Sequence, residues 1–95
     1  MPLTIVAQFQ AKPDRGPELE TLLRALVPPT RAEEGCEIYE LHRSLEDPEF
    51  FHFHEIWSER SYWDAHMESA HLLEFKSSSE PLVEDVKIFQ MELVV

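Results

Sequence analysis

The chain has few cysteines, glycines and basic residues, and it has no asparagine at all. Its only cysteine, Cys36, cannot form an internal disulfide, which favours a reducing cytoplasm. The two glycines, Gly16 and Gly35, lie too far apart for a glycine-rich phosphate loop, so a nucleotide or flavin site of that kind is not indicated. No apolar run approaches the ~20 residues of a membrane span, and no signal peptide is recognisable.

Acidic residues dominate the charge, with 19 acids against 8 lysines and arginines and a net charge of −11. Such an excess repels phosphate backbones and anionic lipid, so we expect neither nucleic acid nor a membrane as a partner. The acids are dispersed along the sequence, which favours solubility. With 95 residues, 43% of them hydrophobic, the chain is predicted to fold as one domain over residues 1–95.

The first third of the sequence predicts a strand and a helix. Apolar and polar residues alternate from Leu3 to Ala11, which is the period of a half-buried strand. Asp14 is a suitable N-cap for the helix, and Pro28-Pro29 is expected to interrupt it before a short turn from Thr30 to Glu33. The apolar positions of the helix follow its 3.6-residue period: Leu19, Leu22, Leu23, Leu26 and Val27.

The remaining sequence predicts two strands joined by a tight turn, two short helices, a polar connector and a last strand. The two strands are expected at Cys36 to Leu45 and Phe50 to Trp57. The first short helix starts at Ser58 or Ser61 and runs towards Glu68, and the second runs from its cap Ser69 through Phe75. The connector is Ser77 to Pro81 and the last strand is Val86 to Val94. The order β-α-β-β-α-β is typical of an α+β, ferredoxin-like sandwich.

The predicted sheet carries apolar residues on both faces. In the third strand, Phe53 and Trp57 share one face while Ile56 lies on the other. Helices cover only one face, so a monomer would expose roughly several hundred Å² of apolar surface, more than soluble monomers usually tolerate. We therefore expect a homodimer that forms through sheet-to-sheet packing.

The chain resembles the antibiotic-biosynthesis monooxygenase family, including its quinol monooxygenase-like members. The motifs that carry the resemblance are Arg31 to Cys36, Tyr39 to Arg43, Leu45 to Pro48, Glu55 to Trp57, Asp64 to His66, and Ser69 with His71. The resemblance covers essentially all 95 residues. It implies protomers that pair into a dimeric α/β barrel, and a reaction that needs no metal, flavin or other cofactor.

The resemblance also implies a substrate and a set of site residues. The substrate is a small aromatic compound, such as a hydroquinone or an anthrone, which is deprotonated and then oxidised by O2. His66 is the predicted base and Glu55 supports it. The residues predicted to bind the substrate are Tyr39, Trp57, Tyr62 and His71.

His66 and His71 are five residues apart, which in one continuous helix separates them by about 140°. They can face one cavity only if the helix breaks between them, and Ser69 is a suitable residue for that break. A neutral imidazole can take a phenolic proton near physiological pH. Two alternatives stay open: His66 is an interior histidine that merely packs, and His71 is a surface residue at a helix start.

Glu55 falls on a largely apolar strand face, so it must be paired or have a pKa raised by desolvation. It orients His66, accepts a proton itself, or forms an ion pair with Arg43 or Arg31. Tyr39 and Trp57 offer flat walls for an aromatic ring, although such residues are also common in cores.

Two further groups were weighed as chemical sites. His42, His52 and His54 fall on one face of a hairpin, where three imidazoles can bind zinc, but the resemblance requires no metal there and none is predicted. Cys36 is flanked by Glu34 and Glu37, which raise the pKa of its thiol, so we expect a buried, unreactive residue.

Three other functions remain as alternatives. Haem degradation, found in the same superfamily, is disfavoured because the axial position falls near Lys76 and the first strand has no asparagine. Isomerisation of a small hydroxy-ketone requires cationic groups for a phosphate, for which Arg31, Arg43 and Lys76 are the candidates. A non-catalytic dimer that binds small molecules is the third.

Overall fold

The computed structural model describes all 95 residues. It contains four strands and three helices, with a short 3-10 turn over Glu80–Leu82. Their bounds are β1 Leu3–Ala11, α1 Gly16–Arg31, β2 Cys36–Arg43, β3 Phe50–Trp57, α2 Arg60–Met67, α3 Ala70–Ser79 and β4 Val83–Met91. None of these helices has both the length and the apolar character needed to cross a bilayer.

The four strands form one open antiparallel sheet in the order β2-β3-β1-β4. The central pair is in register from Leu3 opposite Trp57 to Phe9 opposite Phe51. The α+β, ferredoxin-like fold predicted from the sequence is therefore confirmed, and β2 and β4 are the edges of the sheet.

The core lies between the helices and one face of the sheet. Alternate residues of β1 and β3 are buried, as the two-residue period predicts. Phe51, Phe53 and Trp57 are almost wholly enclosed, and Leu19 and Leu23 of α1 pack in the same layer. Burying each such side chain stabilises the fold by about 1.5–3 kcal/mol.

Helix α1 differs from the prediction at both ends. It continues through Pro28 and Pro29 to Arg31. The two prolines leave the carbonyls of Arg24 and Ala25 without amide donors, and both residues are exposed, so water can reach these carbonyls. Asp14 is not the N-cap, because it has a positive φ of 66° and lies before the helix.

The start of α1 is instead capped from a distant turn. The Glu49 carboxylate, between β2 and β3, accepts hydrogen bonds from the backbone N–H groups of Asp14 at 2.6 Å and Gly16 at 2.5 Å. A negative group at this position satisfies free amides and complements the helix dipole. No local sequence pattern indicates this cap, because Glu49 is more than thirty residues away along the chain.

Several later boundaries also differ from the prediction. The serines expected to form a connector belong to α3, and β4 starts at Val83 and ends at Met91 rather than spanning Val86 to Val94. Strand β2 ends at Arg43, because the Ser44 hydroxyl accepts bonds from the next turn's amides and starts that turn. The predicted cap at Ser69 is confirmed: its hydroxyl accepts a bond from the Leu72 amide.

The other face of the sheet has no helix over it. Its side chains divide into an apolar end and a polar end. The apolar end holds Val6, Ile38, Ile56, Phe89 and Met91, and the polar end holds Gln8, His42, His52 and Lys87. Phe89 is 40% exposed and Met91 is 47% exposed, so the protomer leaves large apolar side chains in contact with water.

Candidate active site

A cavity of about 260 Å³ lies between the helices and the sheet. Thirteen of its 18 lining residues are hydrophobic, so it favours an apolar guest. An apolar cavity of ~150 Å³ takes up one benzene molecule, and this cavity therefore has room for more than one ring. Val86 and Ile88 line it while each is 44% exposed, so it opens at the β4 edge of the sheet.

Four buried polar side chains reach the cavity wall: Tyr39 of β2, Glu55 of β3, His66 of α2 and Ser79 of α3. Tyr39 lies directly opposite Glu55 in the hairpin, and its ring stacks on Phe53 with 4.4 Å between centroids. Burial raises the pKa of the Tyr39 hydroxyl well above its ordinary value. Tyr39 is therefore a neutral hydrogen-bonding group at neutral pH.

Glu55 is an acid inside the apolar layer and is only 3% exposed. Its single hydrogen bond within the chain comes from the Trp57 indole N–H, at 3.0 Å from Oε1. Burial raises the pKa of Glu55 to about 7, although the Trp57 bond acts in the opposite direction. The carboxyl group therefore changes its protonation state near neutral pH, as a general acid or base must.

The ion pair expected between Glu55 and an arginine is not formed. Arg43 lies opposite Phe51 in the hairpin register and pairs with Glu20 at 2.6 Å. Arg31 donates a hydrogen bond to the backbone carbonyl of Tyr39. The expected contact between Glu55 and the ring nitrogens of His66 is also not formed, so neither a cation nor an imidazole compensates the buried carboxylate.

His66, only 2% exposed, is held by a different acid. Its Nδ1 lies 2.6 Å from Oε2 of Glu33, in the connection between α1 and β2. Burial lowers the pKa of His66, although the nearby Glu33 acts against that shift, so the ring is neutral at pH 7. Its Nε2 makes no hydrogen bond within the chain. A neutral ring that donates through Nδ1 keeps a lone pair on Nε2.

Glu33 also contacts His71, whose Nε2 lies 2.8 Å from the same carboxylate oxygen. The two histidines meet at one acid because α2 ends at Met67 and α3 begins at Ala70, which confirms the break expected at Ser69. Glu33 is not among the site residues predicted from the sequence. It lies in a connection without periodicity, and its contacts depend on how the helices pack.

The other predicted substrate-binding residues lie away from the cavity wall. Trp57 is fully buried behind His66, with 4.9 Å between the ring centroids. The ring of Tyr62 packs on Gly35 and its hydroxyl is 3.4 Å from Glu34. His71 lies beside a separate groove between α1 and α3. The cavity thus brings together Tyr39, Glu55 and His66 of the predicted set.

The imidazoles on the uncovered face do not converge. His42 and His52 face each other with 5.9 Å between ring centroids, while His54 is near Glu40. The only histidine, cysteine and acid side chains that bring three ligand atoms within 4.8 Å of one another are Glu33, His66 and His71.

The distances within that group are hydrogen-bond lengths. Donor atoms bound to zinc at ~2.1 Å stand about 3.3 Å apart, whereas His66 and His71 approach the Glu33 oxygen to 2.6 and 2.8 Å. Hydrogen bonds between the ring nitrogens and the Glu33 carboxylate therefore account for this geometry.

The pKa of Cys36 is raised as predicted, but by burial and by Glu55 and Glu33 rather than by the flanking Glu34 and Glu37. The side chain is half-buried, and burial raises the pKa of the thiol to about 11, with Glu55 and Glu33 adding to the effect. A thiol with such a pKa is protonated at neutral pH and is a poor nucleophile.

The sequence profile of the antibiotic biosynthesis monooxygenase family matches residues 2–78. The chain therefore belongs to this family.

Individual relatives share its sequence and fold. The chain is 37% identical over 76 residues, 80% of its length and 74% of the other's, to a protein of Mycobacterium tuberculosis named "Putative monooxygenase Rv0793". The solved structure of Rv0793 superposes with a TM-score of 0.93 at 29% identity, covering 100% of this chain and 97% of that one. PA3566 of Pseudomonas aeruginosa superposes with a TM-score of 0.95 at 38% identity, covering 99% and 95%.

Proposed function

We propose that the protein is a cofactor-independent monooxygenase that oxidises a small hydroquinone-like or polycyclic aromatic compound with O2. The observation that carries the proposal is an apolar cavity with two proton acceptors, Glu55 and His66, on its wall beside Tyr39. Membership of a monooxygenase family supports the reaction class. The apolar lining and the neutral Tyr39 hydroxyl support an aromatic substrate that carries hydroxyl groups.

Proton removal is the first step of the proposed reaction. The free Nε2 of His66 takes the proton of a substrate hydroxyl, which gives an electron-rich aromatic anion. Tyr39 donates a hydrogen bond to that anion, and the low polarity of the cavity strengthens the interaction. These demands are modest, because phenolic protons are acidic enough for an imidazole base in a favourable site.

Oxygen then reacts with the anion. Electrons pass from the anion to O2, and recombination forms a carbon–oxygen bond. The peroxide takes back the proton that His66 removed, which gives a ring hydroperoxide. Glu55 then removes the proton from the same carbon as the O–O bond breaks, which leaves a carbonyl group, and the departing hydroxide takes that proton from Glu55 and leaves as water. The substrate supplies all the electrons, so one oxygen atom enters the product and the other leaves in water.

The structure supports the alternative functions less well. An isomerase of phosphorylated hydroxy-ketones needs cations in the cavity, but Arg31 and Arg43 are engaged elsewhere and only Lys76 lines it. Haem degradation would need an iron ligand such as a histidine near the cavity, but His71 is held by Glu33 away from the cavity wall.

Oxygen consumption with a panel of dihydroquinones and anthrones tests the proposal. We expect turnover by the wild type, and incorporation of one labelled oxygen atom from ¹⁸O2. Glu55→Gln and His66→Gln should each lower kcat by about 10²–10⁴-fold, which is the usual contribution of general acid–base catalysis. Glu74→Gln, at an exposed position of α3 outside the cavity wall, is the matched control and should keep wild-type activity.

Two results would contradict the enzyme assignment. Full activity of His66→Gln would show that this histidine is not the base. Tight binding of aromatic compounds without oxygen consumption would favour a non-catalytic binding protein of the same fold.

We also propose that the protein is a homodimer in which the uncovered faces of two sheets pack together. The apolar end of that face supports this arrangement, because Phe89 and Met91 are large and exposed, and Phe89 lies directly opposite Val6 of β1. Pairing two such faces buries this surface and forms a barrel from two open sheets. The free thiol of Cys36 supports a cytoplasmic location.

Sedimentation at micromolar concentration tests the dimer. The wild type should sediment at twice the mass of one chain, and Phe89→Glu should dissociate because each interface would then bury a charge. Lys87→Glu, two residues away at the polar end of the same face, is the control and should remain dimeric. A wild-type protein that sediments as a single chain would contradict the proposal.

A further inference from the structure

One carboxylate oxygen contacts both histidines near the cavity. Oε2 of Glu33 lies 2.6 Å from Nδ1 of His66 and 2.8 Å from Nε2 of His71. Two nitrogens can approach one carboxylate oxygen this closely only when each presents an N–H to it. The contact therefore fixes the tautomer of both rings: the proton is on Nδ1 in His66 and on Nε2 in His71.

The order of the three groups follows a gradient of exposure. The side chain of His66 is 3% exposed, that of Glu33 is 17% exposed and that of His71 is 25% exposed. His66 faces the cavity, whereas His71 contacts Glu33 from the outer side. The acid is thus held between a buried ring that it orients and an outer ring that restrains it.

We propose that Glu33 is the positioning residue for the base of this site, and that His71 acts by holding Glu33 in place. This inference rests on the proposed function. With its proton fixed on Nδ1, His66 presents the Nε2 lone pair to a substrate hydroxyl. When His66 takes the proton, the imidazolium that forms lies against the Glu33 carboxylate, which stabilises it in a buried place.

The helix break at Ser69 makes this arrangement possible. The Ser69 hydroxyl donates to the His66 carbonyl at 2.7 Å and accepts from the Leu72 amide at 3.4 Å, so it closes α2 and opens α3. In one continuous helix the two rings would point about 140° apart and could not reach one oxygen. The break places them on one acid.

Substitutions at Glu33 separate positioning from packing. Glu33→Gln keeps an oxygen that can accept the N–H groups of both rings, but it removes the negative charge that stabilises the His66 imidazolium. We expect kcat to fall by about 10²–10⁴-fold, as when the carboxylate of a catalytic triad becomes an amide. Glu33→Asp keeps a carboxylate, so its kcat should be at least about ten-fold higher than that of Glu33→Gln.

Substitutions at His71 test the outer contact. His71→Gln keeps an N–H donor for Glu33 and should stay within about three-fold of the wild type. His71→Leu removes that donor and should lower kcat by about ten-fold or more, in the range found for residues that orient a functional group. Equal activities of His71→Gln and His71→Leu would overturn the role given to His71.

Nitrogen-15 NMR of the histidine rings tests the tautomers without any turnover. The wild type should show a protonated Nδ1 in His66, and Glu33→Leu, which removes the acceptor, should lose this preference. The proposal is overturned by a wild-type His66 with its proton on Nε2, or by a stoichiometric divalent ion that occupies the two ring nitrogens. If no quinol is oxidised, the proposed function fails, while these spectra still decide whether Glu33 sets the tautomer.

Discussion

Glu55 should make the stability of this protein fall as pH rises through neutrality. The carboxyl group is buried, accepts one hydrogen bond from Trp57 and has no cation beside it. Replacement by glutamine keeps the shape of the side chain and an oxygen for the Trp57 indole, but removes the titration. The comparison between wild type and Glu55→Gln therefore isolates the charge.

The magnitude follows from the difference between the folded and unfolded states. The pKa of Glu55 is about 7 in the folded protein and 4.5 without its surroundings. Because the folded state holds the proton more tightly, this group stabilises the protein fully below pH ~4.5, and the contribution is lost as pH rises to the folded pKa. At ~1.4 kcal/mol per unit, the loss between pH 5 and pH 8 is about 2.5 kcal/mol.

Urea unfolding at pH 5 and pH 8, at one fixed protein concentration, measures this effect. From pH 5 to pH 8, the free energy of unfolding of the wild type should fall by about 2.5 kcal/mol more than that of Glu55→Gln, because all other titrating groups are common to both proteins. Glu37→Gln, which changes an exposed acid of β2, is the control and should behave as the wild type. The reasoning is refuted if Glu55→Gln keeps the pH dependence of the wild type.

Three further predictions concern single contacts. Trp57→Phe removes the hydrogen bond that lowers the pKa of Glu55, so the stability loss should shift to higher pH in the same assay. Gly35→Ala should cost more than ~2 kcal/mol in urea unfolding, because Gly35 has a φ of 82° and a new Cβ would meet the Tyr62 ring at 2.2 Å; an unchanged midpoint would contradict this. Glu49→Ala should cost about 1–2 kcal/mol through loss of the α1 cap, whereas Glu46→Ala in the same turn should cost less than ~0.5 kcal/mol.

Regular alternation explains why the central strands were predictable. The bounds of β1 and β3 agree with the sequence prediction because their side chains alternate strictly between a buried and a partly exposed face. The ends of α1 were not predictable in the same way. Its first amides are satisfied by Glu49, a residue from another turn, so the local residue Asp14 was a misleading signal.

Pairing within the site depended on strand register, which the sequence does not specify. The apolar strand face predicted that Glu55 is either paired or has a raised pKa, and in the structure burial raises its pKa without a cationic partner. The predicted ion pair between Glu55 and Arg43 does not form, because the hairpin register places Arg43 opposite Phe51 and Tyr39 opposite Glu55. A shift of four residues along a strand moves a side chain by about 13 Å, which is beyond the reach of an ion pair.

Glu33, His66 and His71 come from three separate parts of the chain, the α1–β2 connection, α2 and α3, so their geometry depends on how these parts pack together. Glu33 lies in the turn before Gly35, whose lack of a side chain lets the Tyr62 ring of α2 pack directly on the backbone. That contact brings α2, and with it His66, against the turn that carries Glu33. Ser69 then redirects the chain so that His71 approaches the same oxygen. Because no single helix or strand fixes the three side chains, we expect a change at Gly35 to alter both the free energy of unfolding and the tautomer of His66, through the contact of Gly35 with Tyr62.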